Sequence, residues 1–258
     1  MVNKKLSKRL NGIVDMINSF VVNSFSIENP VINNAAIDNP VTDNLLFEKT
    51  QYDHIWDCCC DHGFLGAYFL EHHDKPHVHF VDIVPSLIEI VRSRLSQFYP
   101  HLSHRWDVYC HDVAQLPLET HQGKHLIMIA GVGGELLSNF ITSIIQHCGT
   151  QDIDFVVCPV NNAYEVRQTL KDNEFLVIDE QLLEENRRFY EIIYCTRSNE
   201  HLPTITVTGH SLWQIQDHEQ QSHATMYLQK LLTHYRKIQQ GGKQDVSHIV
   251  SAYESIKL

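Results

Sequence analysis

Acids and glycines recur in this chain where apolar runs stop. Asp57 and then Asp61-His62-Gly63 close the first run. Asp82 closes the second, 21 residues beyond Asp61, and Asp112 closes the third. Gly131-Val132-Gly133-Gly134 follows the fourth, Leu126–Ala130, and opens an amphipathic run with Leu136, Leu137, Phe140, Ile141, Ile144 and Ile145. A buried strand that passes through a glycine turn into a helix lies at the carboxyl edge of an open parallel sheet, where ligands bind. Glycines there admit a ligand close to the backbone and leave helix-top N–H groups free. A carboxylate after the second strand can accept both hydroxyls of a ribose, a charge-assisted contact worth roughly 1.5–3 kcal/mol. One after the third can accept from an adenine amino group, and one near the first can hold a cationic group. The set suits an adenosyl cofactor with a cationic end. A dinucleotide wants G-x-G-x-x-G after the first strand; here that turn reads Cys58-Cys59-Cys60-Asp61-His62-Gly63.

Each acid by itself also reads as a turn former or helix cap; it is the repetition at successive strand ends that marks a site. The three cysteines with Asp61 and His62 raise the question of a metal. Consecutive residues of a strand point to opposite faces, so Cys58, Cys59 and Cys60 cannot converge while extended, and no metal is expected.

The elements that must carry these residues follow from periodicity. Strands are expected at His54–Cys58, His77–Val81, Asp107–Cys110, Leu126–Ala130 and Ile153–Cys158, with helices at Leu65–His72, Ser86–Phe98, near 113–118, 134–147 and Ala163–Asp172. This alternation implies a parallel sheet covered on both faces. Two more strands, Phe175–Asp179 and Phe189–Cys195, are separated by too short a loop for a parallel crossover and form an antiparallel hairpin. Pro203–Thr208 reads as an extra strand. Ser222–Ile238 and Val246–Ile256, divided by Gly241-Gly242, read as a helical hairpin separate from the sheet. The organisation is an N-terminal helix in 1–18, an Asn-rich inserted loop in 19–51 with the duplicated Ile27-Glu28-Asn29-Pro30-Val31 and Ile37-Asp38-Asn39-Pro40-Val41, a cofactor-binding domain in 52–200, and a C-terminal strand and helical hairpin in 201–258.

The chain has 258 residues, 43% of them hydrophobic, and a formal charge of −11, which argues against unspecific nucleic-acid binding while allowing a local basic face. Seven cysteines without a CxxC read as buried thiols of a reducing cytoplasm. The eighteen histidines read mostly as solvated or loop residues. No apolar run approaches the length of a membrane span.

Leu6-Ser7-Lys8-Arg9-Leu10, Asp57-x-x-x-Asp61-His62, Ile129-Ala130-Gly131-Val132-Gly133-Gly134, Cys158-Pro159-x-Asn161-Asn162 and Glu184-Glu185-x-x-Arg188-Phe189-Tyr190-Glu191-Ile192-Ile193 occur in that order. The series resembles the bacterial tRNA (adenine-22-N1)-methyltransferase family over roughly 6–195, apart from the insert. The resemblance implies a class I methyltransferase (Rossmann-like) α/β fold, with seven strands, a parallel core and an antiparallel terminal hairpin. It implies S-adenosyl-L-methionine as cofactor and tRNA as partner. Cofactor contacts are expected from Asp57, Asp61, His62, Gly63, Asp82, Ile83, Asp112, Val113, Ala130, Gly131, Gly133 and Gly134. Asp61, Asn161 and Tyr190 are the catalytic candidates. Phosphate contacts are expected from Lys5, Lys8, Arg9, Arg187, Arg188, Lys230, Arg236 and Lys237. The chain departs from the family at Cys59, where the family has glycine, and at the 19–51 insert. A small-molecule or protein methyltransferase, or a non-catalytic cofactor-binding protein, are the competing readings.

Overall fold

A computed structural model describes residues 6–28, 52–214, 217–242 and 244–258. Seven strands form one sheet in the order β3-β2-β1-β4-β5-β7-β6. They are β1 (His54–Cys58), β2 (His77–Asp82), β3 (Trp106–Cys110), β4 (Lys124–Ala130), β5 (Asp152–Cys158), β6 (Leu176–Glu185) and β7 (Arg188–Thr196). β1 to β5 run parallel, and β7 is antiparallel to both β5 and β6. This is the expected sheet. The strand order reverses between β1 and β4, the place where such sheets open a crevice at their carboxyl edge.

The helices are α1 (Lys8–Glu28), α2 (Phe64–His72), α3 (Pro85–Phe98), α4 (Gly134–His147), α5 (Ala163–Asp172), α6 (His218–Gln240) and α7 (Ser247–Glu254). One face of the sheet buries Ile55, Phe80, Val108, Met128, Ile192 and Tyr194 against α1, α2 and α3. The other buries Trp56, Val81, Ile127, Ile129, Phe155 and Ile193 against α4 and α5. Strands apolar on both faces read as continuous runs, which is why the five central strands stood out in the sequence.

Several boundaries differ from expectation. α1 continues to Glu28, well past the end expected at residue 18. No glycine or proline follows Gly12 until Pro30, and proline disfavours helix in the residue before it. The rest of the Asn-rich insert and its duplication lie outside the described residues, apart from Ile27 and Glu28 at the end of α1. The loop between the terminal strands shrinks to Asn186-Arg187, both left-handed at φ 53° and 63°, the geometry of a tight two-residue hairpin turn. Pro203–Thr208 is not a strand; it makes a single bridge, Thr204 to Leu176. The C-terminal helical hairpin exists, but it is docked on the sheet rather than separate from it. Arg167 of α5, fully buried, donates from Nε to Glu191 of β7 and from Nη1 to Glu180 of β6, both at 2.6 Å. Tyr227 of α6 donates to the other Glu191 oxygen at 2.7 Å.

Candidate active site at the strand ends

Asp57 occupies the fourth position of β1 and is buried. Its Oδ2 accepts the Gly66 amide at 2.8 Å. A side chain at Gly66 would put Cβ 2.5 Å from Phe80 Cε1 and 3.0 Å from Asp57 Oδ2, so glycine lets α2 close onto the acid. Beyond β1 the chain coils back through Cys59 (φ 53°), Asp61 (φ 49°) and Gly63 (φ 68°), all left-handed. This brings the Asp61 amide to Asp82 Oδ2 at 3.2 Å, while Asp82 Oδ1 accepts from Val84 N at 3.0 Å. Asp112 caps a short 3-10 turn, accepting from Ala114 N at 2.9 Å.

The electrostatics show how close these acids lie. Burial raises the Asp57 carboxyl to about 7; the Gly66 amide opposes the rise, and the charges of Asp82 and Asp61 add to it. Burial, then Asp82, Asp57 and Asp112 in turn, push the Cys59 thiol up to about 12 and keep it neutral. One thiol thus feels the acids of three successive strand ends. A crevice of this potential favours a cation. Beside Asp82, Ile83 is 67% exposed and Val84 41% exposed, an apolar ledge at the rim of an acidic crevice. His62 Nδ1, itself buried, lies 3.7 Å from the largely exposed Asp61 carboxylate. The Val113 side chain is packed in the core, so only its main chain faces this region.

The β4 end carries the second half of the site. Gly131 (φ 93°) donates its amide to Cys158 O at 3.1 Å. The Gly134 amide donates to Asn161 Oδ1 at 3.1 Å. A Cβ on Gly134 would fall 2.5 Å from Asn162 O, and one on Gly133 would fall 3.2 Å from Asn161 Oδ1. The glycines therefore let the β5–α5 connection press Asn161 onto the turn. Arg9 reaches the same turn from α1. Its Nη2 lies 3.4 Å from where a Gly131 Cβ would be, and its guanidinium lies 5.1 Å from the Tyr190 ring centre. α1 can come this close because a Cβ on Gly12 would meet Leu183 at 2.5 Å. Arg9, expected among the phosphate contacts, is thus folded into the strand-end turn. Asn161 is held on this turn and Tyr190 lies against Arg9, which reaches it, whereas Asp61 stands with Asp82 at the β1–β2 ends.

From Asn161 a cavity of about 410 Å³ opens between the β5–α5 connection, the β6–β7 turn and α6, with Arg187, Arg188 and Lys230 on its wall beside Phe189, Tyr227 and His234. Lys230 Nζ donates to Arg187 O at 3.2 Å and lies 4.5 Å from the Phe189 ring centre. Lys237 continues the basic edge along α6. The other basic candidates are elsewhere. Arg236 is turned to α7, where it pairs with Glu254 at 2.7 Å. Lys8 lines a different groove, over Glu180 and Glu184 of β6. Lys5 lies outside the described residues. The aromatic wall of Phe189 and Tyr227 was not singled out in the sequence; its nearest signal was the Arg188–Ile193 block.

The family profile described as a methyltransferase domain matches residues 46–193. Comparison with curated proteins gives no match. Among solved structures, the chain is similar to the Bacillus subtilis m1A22 tRNA methyltransferase TrmK, at 17% identity and TM-score 0.64, covering 98% of this chain and 99% of that one. It is similar to Mycoplasma capricolum TrmK in complex with S-adenosyl-homocysteine at 15% identity and TM-score 0.63, covering 98% and 100%. Streptococcus pneumoniae Sp1610 in complex with S-adenosyl-L-methionine gives 16% identity and TM-score 0.64, covering 98% and 99%. At these identities the likeness is one of fold. The family profile extends from before β1 into β7 and takes in the acids of the first three strand ends and the β4 glycine turn, and on that match the chain belongs to the methyltransferase-domain family.

Proposed function

We propose that the chain transfers the methyl group of S-adenosyl-L-methionine to N1 of an adenine in the D-arm of tRNA. The observation that carries this reading is the union of an acidic crevice at the β1–β3 ends with a basic, aromatic-walled groove that starts at Asn161. The first half suits a cationic adenosyl cofactor; the second suits a polyanion with a base to hold. The TrmK structures, which share the fold over nearly the whole chain, support the same pairing.

The crevice fits the cofactor on its own chemistry. Asp82 uses one lone pair of each oxygen on Asp61 N and Val84 N. A carboxylate oxygen accepts twice, so both remain able to take a ribose hydroxyl. Asp112 would take the adenine amino group, Ile83 would cover the ring, and Asp57 and Asp61 would face the cationic end. S-adenosyl-L-methionine supplies a methyl group already electrophilic at its sulfonium. Adenine N1 offers a lone pair and carries no proton, so the protein needs no general base before attack. Its task is placement and exclusion of water. Asn161, held on the β4 turn, and Tyr190, lying against Arg9, would orient the base, and Asp61 would balance the charge of the methylated product. A paired adenine must first leave its stack, at a cost of a few kcal/mol. Arg187, Arg188, Lys230 and Lys237 would hold the flanking phosphates and meet that cost. The reaction is assigned to the cytoplasm, where tRNA is modified; among the described residues no helix is long and apolar enough to cross a membrane.

The test is tRNA binding against salt. Wild type should bind with a steep salt slope, and Arg188→Ala combined with Lys230→Ala should flatten it by about 2 in log–log terms. Equal slopes for the two proteins would remove the groove from the interface.

A further inference from the structure

The rim of the sheet opposite the acidic crevice carries a second group of chemically capable side chains. His54 starts β1, His77 and His79 lie at the start of β2, Asp107 lies at the start of β3, and His121 and His125 flank the entry to β4. Register puts His54 beside His77 and beside His125, and His79 beside Asp107. Partners in register share a face, so the group is gathered on one side of the sheet by the strand pairing itself.

Two sets of donors are close enough for one ion. One ring nitrogen from each of His54, His79 and His121 lies within 4.8 Å of the others, and so does one donor from each of His77, His79 and Asp107. In a tetrahedral site with metal–nitrogen bonds of ~2.0–2.1 Å, neighbouring donors sit roughly 3.3 Å apart. The His54 Nδ1 to His79 Nε2 distance is already 3.0 Å.

The hydrogen bonds hold His54 in the form a ligand requires. Its Nε2 lies 3.1 Å from Gln122 O. A carbonyl only accepts, so Nε2 carries the proton and Nδ1 accepts the hydrogen bond that His79 Nε2–H donates, a proton that an ion bound between the two rings would displace. Ligating histidines commonly donate their other N–H to a backbone carbonyl in this way. His79 has 0% exposure, stacks on Trp56 at 3.9 Å, and keeps Nδ1 buried with no hydrogen-bond partner. Trp56 in turn donates to His125 Nδ1 at 3.0 Å, and His125 stacks on His54 at 5.0 Å. The indole thus locks the rings on both sides. His121 lies half-exposed in the connection before β4 and leaves a path from solvent.

We infer that His54, His79 and His121 form a binding site for one divalent transition cation of the zinc class, on the edge of the sheet away from the acidic crevice. A borderline cation with imidazole ligands is what this donor set selects. The site would clamp the connection ending at His121 onto β1 and β2, and it is independent of the methyl-transfer reading.

The test titrates untagged, chelator-treated protein with Zn²⁺ by calorimetry and with Co²⁺ by visible absorption. His79 is buried and its removal threatens the fold, so the variants are His121→Ala and His54→Gln, each checked by circular dichroism. The wild type should bind one ion per chain, give the absorption of a low-symmetry Co²⁺ complex, and melt at a higher temperature with Zn²⁺. Both variants should bind more than ~100-fold weaker, beyond the loss typical of an outer-shell partner, and lose the thermal shift. Equal affinity in wild type and variants would overturn the site. So would loss of binding in Asp107→Asn with retention in His121→Ala, which would move the ion to the His77–Asp107 side.

Discussion

Replacing Asp57 with Asn should change how stability depends on pH, by an amount the structure sets. Burial raises this carboxyl from its ordinary 3.8 to about 7 in the folded protein. Below about pH 4 the folded and unfolded forms are both protonated, and the residue contributes nothing. Between about pH 4 and 7 the unfolded carboxyl ionises while the folded one keeps its proton. The unfolded state then binds fewer protons, so stability falls as pH rises, by about 1.36 kcal/mol per pH unit. Above about pH 7 both are ionised and the loss is complete, at about 4 kcal/mol. Asparagine does not titrate, and its Oδ1 can still accept the Gly66 amide. Urea unfolding without cofactor should therefore show wild type and Asp57→Asn diverging in the variant's favour from pH 4 to 7, then running parallel. The difference between the two proteins is the quantity to measure, because buried His73 and His125, lowered to about 4 chiefly by burial, tilt both curves the other way. A gap independent of pH would refute the reasoning. The same proton bears on binding. A cationic ligand in the crevice requires the carboxylate, so wild-type affinity for S-adenosyl-L-methionine should fall about tenfold per pH unit below 7. That of Asp57→Asn should not.

Four further substitutions probe the frame of the site. Arg167→Met leaves Glu180 and Glu191 buried without their cation and should cost about 3–5 kcal/mol by denaturant unfolding, whereas Tyr227→Phe, which removes one hydrogen bond to Glu191, should cost about 1.5–3 kcal/mol. Cys59→Gly removes a side chain from a left-handed position, a relief of ~1–2 kcal/mol, offset by about 0.4–1 kcal/mol of unfolded-chain entropy; a net gain of up to about 1 kcal/mol with cofactor affinity kept is expected, and a loss of stability would count against the strain. Gly134→Ala drives Cβ to 2.5 Å from a backbone oxygen and should abolish transfer at a stability cost above about 1 kcal/mol; an active Gly134→Ala would show that the turn and Asn161 are not held together as described.

The parallel core was legible because strands buried on both faces leave unbroken apolar runs, and because acids and glycines punctuate their ends. Asp57, Asp82, Asp112 and Gly131–Gly134 could be placed at one edge from that rhythm alone. Arg9 could not. Its position depends on α1 lying close over β6 and β7, a contact set by Gly12 and by residues far away in the sequence. The groove at Asn161 was equally hidden, since Arg187 and Lys230 meet only when α6 docks through Tyr227 onto Glu191. The histidine cluster escaped for the same reason. His54, His77 and His125 belong to three strands, and only register makes them neighbours.

Incubation of the purified chain with unmodified tRNA transcripts and S-adenosyl-L-methionine carrying a labelled methyl group tests the central claim most directly, with the product nucleosides identified by mass spectrometry. The account predicts N1-methyladenosine at one D-arm position, lost in Asp82→Ala. Cofactor binding without transfer to any adenine of tRNA would contradict it.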